Sequence, residues 1–207
     1  MMRYEELMQR YFKEAGVSLQ PGISHSLSIY MKELFRWNEK INLTAITDPE
    51  EAVVKLFVDA TYPSSLIEAG DTVLDIGSGA GFPGMVLGIL CPGASVTLAE
   101  ARFRKIAFLK RIKGLTGAKN VHFFEGALRK EDARNLGPFT RITSRATARV
   151  ERIAALGKHF LADKGVLIIM GGRGEGRSFG DVVFERAIPY TLPGGFGSRK
   201  MCLYKKR

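Results

Sequence analysis

Five residues of this 207-residue chain have types and spacing that could do chemistry: Asp75, Gly77, Gly79, Gly81 and Glu100. Four of them belong to one stretch, Val73-Leu74-Asp75-Ile76-Gly77-Ser78-Gly79-Ala80-Gly81-Phe82-Pro83-Gly84. Val73, Leu74 and Ile76 read as a short buried strand. The glycines let the backbone turn tightly and approach a ligand without Cβ interference. Pro83 suits the first turn of a following helix, where its missing N–H costs nothing. Strand, glycine turn and helix form the first unit of a nucleotide-type cofactor site in an α/β sheet. Gly79-Ala80-Gly81-Phe82-Pro83-Gly84 satisfies G-x-G-x-x-G, which alone is weak evidence for a dinucleotide. Asp75 argues the other way, since a carboxylate facing the ligand would repel a pyrophosphate. S-adenosylmethionine has no phosphate and carries an ammonium and a sulfonium, both good partners for a carboxylate. Glu100, at the end of the next strand, suits ribose hydroxyls in either cofactor.

The elements that must hold these residues are legible from periodicity. Residues 2–15 read as a helix with Tyr4, Leu7, Met8, Tyr11 and Phe12 at helical spacing, stopped near Gly16. Pro21-Gly22 reads as a turn. A second helix is expected from Ser24 or Ser26 to about Trp37-Asn38. Asp48-Pro49-Glu50-Glu51 supplies an N-cap, a first-turn proline and acids matched to the helix dipole, opening a third helix through about Ala60. From residue 70, short apolar runs alternate with helical stretches, as in a parallel sheet. Strands are expected at 73–76, 95–99, 121–124, 141–144 and 166–170, with helices at 83–90, 102–115, 127–135 and 150–161 between them. Extended runs at 182–192 and 200–205 read as a closing antiparallel pair. The chain divides into an N-terminal helical region, residues 1–64, packed on a second region, residues 65–207.

The 31 Lys+Arg outnumber the 21 Asp+Glu, for a formal charge of +10. Such an excess favours a polyanionic partner, nucleic acid first. Cys91 and Cys202 have no metal-site or redox spacing. No run is long enough to span a bilayer and the start has no signal-peptide core, so a cytoplasmic protein is expected.

With these motifs in place, the sequence resembles the class I S-adenosylmethionine-dependent methyltransferases. More narrowly it is similar to the RsmG (GidB) family, bacterial small-subunit (16S) ribosomal RNA guanine-N7 methyltransferases. The resemblance is carried by Trp37-Asn38 with Asn42-Leu43-Thr44, by Asp59, and by Asp75 through Gly84, whose Phe82-Pro83-Gly84 tail is its most specific part. Arg104-Lys105 with Phe108-Leu109, Ser144-Arg145-Ala146 and a weaker echo in Ser198-Arg199-Lys200 extend it. The resemblance implies an α/β fold: a Rossmann-like, mostly parallel seven-stranded sheet with an N-terminal helical extension. It implies S-adenosyl-L-methionine as cofactor and 16S rRNA or the small ribosomal subunit as partner, with no membrane and the chain acting as a monomer. It sets Gly77 and Phe82 against the cofactor, Glu100 near the ribose, Leu128-Arg129 on the adenine side, and Arg145 by the reacting site. Arg129 departs from the pattern, standing where the family carries an acid. Leu56 stands where a histidine is usual, and Gly171 where a lysine is common.

Guanine N7 has an exposed lone pair, so methylating it needs no base to remove a proton, and positioning can supply much of the acceleration. Thr143-Ser144-Arg145-Ala146 fits this, having neither the Asp/Asn-Pro-Pro-Tyr of exocyclic-amine methylation nor a Pro-Cys nucleophile. Arg145 is then an orienting donor to base or cofactor, for which guanine O6 is an acceptor. Arg173 and Arg177, in the loop Gly171-Gly172-Arg173-Gly174-Glu175-Gly176-Arg177, are the expected RNA contacts, with the basic helix at 102–115 taking a minor share. Three alternatives stay open: a methyltransferase acting on another RNA, a protein or a small molecule; an NAD-dependent oxidoreductase; and a non-catalytic RNA-binding protein.

Overall fold

The computed structural model describes residues 2–145, 149–171 and 175–207, with the side chains of residues 2 and 3 left aside. Seven strands form one sheet in the order β3-β2-β1-β4-β5-β7-β6. They are β1 (Thr72–Ile76), β2 (Ser95–Glu100), β3 (Val121–Glu125), β4 (Phe139–Arg145), β5 (Leu161–Met170), β6 (Val182–Thr191) and β7 (Ser198–Lys206). The first five run parallel, and β7 is antiparallel to both β5 and β6. The expected mostly parallel seven-stranded sheet is thus present. The chain reverses between β1 and β4, and ligands of open α/β sheets bind at such a reversal, beyond the carboxyl ends of the strands.

Alternate residues of each central strand face two apolar layers. Val73, Val96, Leu98, Ile168 and Met170 pack in one core with α1 (Met2–Glu14), α2 (Pro21–Asn38), α4 (Gly84–Leu90) and α5 (Phe103–Thr116). Leu74, Ile76, Ile142, Leu167 and Ile169 face the other way, with Val150, Ile153 and Ala154 of α7 (Val150–Gly157). Each such side chain, fully buried, contributes about 1.5–3 kcal/mol. The N-terminal helices therefore share a core with the sheet. Among the described residues no helix is long and apolar enough to cross a membrane.

Four elements differ from the sequence reading. Pro21 does not belong to a turn but opens α2, after Gln20 at the N-cap, the first helical position that proline favours. The third helix opens as expected, with Asp48 Oδ1 accepting from Glu51 N at 2.8 Å. It is α-helical only over α3 (Pro49–Ala52), then widens to a π-helix over Val53–Val58 and tightens to a 3-10 helix over Asp59–Leu66. The helix expected at 127–135 contracts to a 3-10 turn, Lys130–Asp132, and α6 (Ala133–Leu136). α7 ends at Gly157, and β5 begins at Leu161 because Phe160 and Leu161 are drawn into the second core layer.

Candidate active site

The glycine loop after β1 is built as its residue types demand. Gly77, Gly79 and Gly81 have φ of +73°, +60° and +97°, which only glycine adopts freely. A Cβ on Gly81 would fall 2.3 Å from Tyr30 Oη and 2.8 Å from Leu109 Cδ2, so this glycine also admits α2 and α5 against the loop. The Tyr30 hydroxyl donates to the Ala80 carbonyl. The Tyr30 ring stacks on Phe82 at 5.3 Å between centroids, and Phe57 of the π-helix stands edge-on to both. Aromatic packing from two helices thus fixes the loop.

Asp75 does not face the ligand. It is 1% exposed, with Oδ2 accepting from Gly84 N at 3.0 Å and Oδ1 from the Thr143 hydroxyl at 3.1 Å. Its carboxylate lies behind the loop and ties β1 to α4 and β4. Burial pushes its pKa from the usual 3.8 to about 6, against the opposing pull of the Gly84 N–H and the Thr143 hydroxyl. The repulsion of a pyrophosphate by Asp75 therefore does not operate.

The loop excludes a pyrophosphate by other means. The N–H groups of Gly77 and Ser78 donate to Ala99 O, those of Gly81 and Phe82 to Ser78 O, and that of Gly84 to Asp75. Gly79 N donates to Glu100 Oε2 at 2.9 Å. A phosphate cradle needs such donors unpaired and convergent, and here a carboxylate occupies the position of the phosphate. Glu100 Oε1 also accepts from Arg102 N at 2.8 Å, which sets the acid at the mouth of the site.

Around it lies a cavity of about 550 Å³ lined by Leu43, Thr44, Leu56, Gly77, Ser78, Gly79, Ala80, Phe82, Glu100, Arg102, Lys105 and Arg145. Gly77 is shared with an adjoining cavity of about 760 Å³, whose wall includes Ala101, Gly126, Leu128 and Ile153. Together they run across the carboxyl ends of β1, β2 and β3. The carboxylate at the loop, the glycine backbone and the apolar Leu128 side fit S-adenosylmethionine: hydroxyls for Glu100, an adenine face for Leu128, and no phosphate.

Arg145, the last residue of β4, is anchored by a network the sequence reading did not assemble. Its Nη1 donates to Lys55 O at 3.1 Å and lies 3.8 Å from Asp59 Oδ2, and its guanidinium carbon stands 5.2 Å from the centroid of the Phe82 ring. Asp59, 0% exposed, accepts from Arg199 Nη1 at 2.8 Å and from the Tyr190 hydroxyl at 2.8 Å. Burial pushes the Asp59 carboxyl above the usual carboxylate range, while Arg199, Tyr190 and Arg145 oppose the shift. Asn38 clasps the other wall: its Oδ1 accepts from the N–H of Leu43 and Thr44, and its Nδ2 donates to Thr44 O. Asp59, Asn38 and Arg199 stood in the sequence as parts of the resemblance without a role.

Of the residues singled out from sequence, Gly77, Gly79, Phe82, Glu100 and Arg145 come together on one cavity. Gly81 and Asp75 lie behind it. Leu128 lines the adjoining cavity, whereas Arg129 is exposed and its N–H donates to Asp132 Oδ2 at 2.7 Å. Arg177 pairs with Glu151 at 3.2 Å on the surface. Arg173 and Ala146 lie outside the described residues. Lys105 was read as part of a basic helix; its Nζ comes 3.8 Å from where a Cβ on Gly79 would lie, over the loop.

Comparison with known proteins agrees with this geometry. The family model for rRNA small subunit methyltransferase G (GidB) matches residues 23–178. A Streptococcus thermophilus ribosomal RNA small subunit methyltransferase G is 34% identical over 209 residues, covering 94% of this chain and 88% of that protein. A Streptococcus pyogenes relative of the same name is 34% identical over 214 residues, covering 96% and 89%. Among solved structures, the Aeropyrum pernix fibrillarin with natively bound S-adenosyl-L-methionine superposes with a TM-score of 0.54 at 14% identity, covering 71% of this chain and 73% of that one. A Pyrococcus horikoshii protein described as a putative RNA methyltransferase gives 0.54 at 14% identity, covering 86% and 98%. These two likenesses show the fold. The chain, matched over most of its length by the family model and by relatives at a third identity, belongs to the rRNA small subunit methyltransferase G (GidB) family.

Proposed function

We propose that this chain transfers a methyl group from S-adenosylmethionine to N7 of a guanine in 16S ribosomal RNA. The observation that carries the N7 assignment is what the cavity contains. Its described lining has three cations, Arg102, Lys105 and Arg145, and one carboxylate, Glu100, already engaged by two N–H groups. Such a wall suits an acceptor that brings its own lone pair and needs no proton removed, as N7 does. Family membership supports the ribosomal RNA target.

S-adenosylmethionine, when bound, would supply a methyl group on a positively charged sulfur, activated for transfer to a nitrogen lone pair. The chain's own residues position the partners. Glu100 accepts from ribose hydroxyls, Gly77 admits close backbone approach, and Leu128 covers the adenine side. Arg145, held by Lys55 O and Asp59 and lying over Phe82, donates to guanine O6 and fixes the base for in-line attack. Leu43 and Leu56 keep that wall apolar and exclude water. Positioning of this kind corresponds to effective molarities of roughly 10⁵–10⁸ M. Arg173 and Arg177 remain proposed as outlying RNA contacts, and we take the protein to act as a cytoplasmic monomer.

The test is transfer of labelled methyl from S-adenosylmethionine to small ribosomal subunits, naked 16S rRNA and DNA, followed by nucleoside analysis. Label in 7-methylguanosine of the small-subunit RNA is expected. Label confined to another atom, or to none of these substrates, would overturn the reading.

A further inference from the structure

Phe103 is the most exposed large apolar side chain among the described residues, at 79%. A lone exposed aromatic is ordinary; its surroundings here are not. It opens α5 three residues after Glu100, and the turn between them is pinned because Arg102 N donates to Glu100 Oε1 at 2.8 Å. The backbone that carries the ring is therefore fixed relative to Glu100, and the ring itself stands out in solvent. Arg102 and Arg104 flank it, both exposed, and Arg102 and Lys105 line the cavity.

The charges along α5 are treated unequally. In its second half Lys110 pairs with Glu125, Arg111 with Glu33, and Lys113 donates to Val121 O. Arg102, Arg104 and Lys105 make no ion pair among the described residues. Cations at a helix start meet the positive end of its dipole, so helix stability does not account for their place there. An unpaired aromatic face between unpaired cations is the chemistry that takes single-stranded nucleic acid, bases stacking on the ring and phosphates meeting the charges. A protein partner would need a wider apolar patch than one ring set among arginines.

We propose that Phe103 stacks on an unpaired nucleobase next to the guanine being methylated, with Arg102 and Arg104 on the adjoining phosphates. This rests on the RNA methyltransferase reading and adds to it the strand that the enzyme grips: single-stranded at the target, with a neighbouring base splayed onto α5. Phe103 touches neither cofactor nor reacting atom in this scheme. It positions the RNA.

The experiment measures Phe103→Ala, Phe103→Leu and Phe103→Trp against wild type. Anisotropy reads binding of a single-stranded oligoribonucleotide and of its abasic counterpart; methylation of small subunits reads KM and kcat; calorimetry reads S-adenosylmethionine binding. Phe103→Ala and Phe103→Leu are expected to weaken the base-carrying strand and raise KM about tenfold. Abasic-strand and cofactor binding should stay as in wild type, and Phe103→Trp should restore the loss. Equal weakening on both strands, or full rescue by leucine, would overturn stacking, and so would an unaffected Phe103→Ala in an enzyme that methylates RNA. A wild-type protein that binds and methylates no RNA would instead overturn the function itself, and this proposal with it.

Discussion

Asp75 stands one residue short of the end of β1 and Glu100 is the last residue of β2, and that small difference decides what each carboxylate does. Asp75 pairs in register with Leu98, inside the sheet, where the Gly84 N–H and the Thr143 hydroxyl donate to it. Glu100 closes β2, in register with Glu125, and its carboxylate accepts from Gly79 N of the loop. A folded pKa of about 6 for Asp75, above its ordinary 3.8, has a definite sign. The protonated carboxyl contributes stability in full below about pH 4, and that stability is lost as pH rises through about 6, an effect of about 3 kcal/mol. Asp75→Asn has no proton to lose. Denaturant unfolding of the two proteins from pH 4 to 7 should therefore show the asparagine variant gaining on wild type by up to that amount; a constant difference would mean Asp75 stays ionised throughout. Glu100→Gln carries the complementary expectation. Loss of charge-assisted bonds worth about 1.5–3 kcal/mol should weaken S-adenosylmethionine by roughly ten- to a hundredfold in calorimetry, and should also lower the melting temperature, because Gly79 N and Arg102 N donate to the same carboxylate.

The decisive element is the third helix. Its π-helical segment turns Lys55 O toward the Arg145 guanidinium, and Asp59, directly after it, gathers Arg145, Arg199 and Tyr190 from β4, β7 and β6. Asp59→Asn leaves two guanidiniums together without a counter-charge, an arrangement that costs about 3–5 kcal/mol when a buried pair is broken. Tyr190→Phe removes one hydrogen bond, about 1 kcal/mol. If the network positions Arg145, both variants lower kcat at saturating RNA while the cofactor Kd holds, and Asp59→Asn does so more; a fall in cofactor affinity without a fall in kcat would assign the network to the cofactor instead. None of this was readable from periodicity. Val53, Leu56, Phe57 and Ala60 fit an ordinary helical stripe, and the partners of Lys55 O and Asp59 lie far along the chain. The strands were readable because a parallel sheet covered on both faces needs uninterrupted apolar runs such as Val166–Met170. The glycine loop was readable because its positive φ angles demand glycine. The direction of the Asp75 side chain was not, because spacing along a sequence does not say on which side of a turn a side chain lies.

At the scale of the whole molecule, the net charge of +10 says less than where cations are left unpaired. Lys110, Arg111, Arg141, Lys158, Arg177, Lys200 and Lys205 each have an acid beside them. The first turn of α5, at the mouth of the cofactor cavity, does not. Counterion release gives a way to weigh the two sets, since each single-strand phosphate contact contributes about −0.7 to the slope of log K against log salt. Arg102→Gln/Arg104→Gln should flatten that slope by about 1.4 for RNA binding, two contacts removed. Lys110→Gln/Arg111→Gln removes the same formal charge from the same helix, yet from pairs already satisfied by Glu125 and Glu33, and should leave the slope near wild type. Equal flattening by the two double variants would mean that the RNA responds to overall charge and not to the cavity mouth. The contrast separates a basic protein that merely attracts RNA from one that grips a strand where the methyl group is delivered.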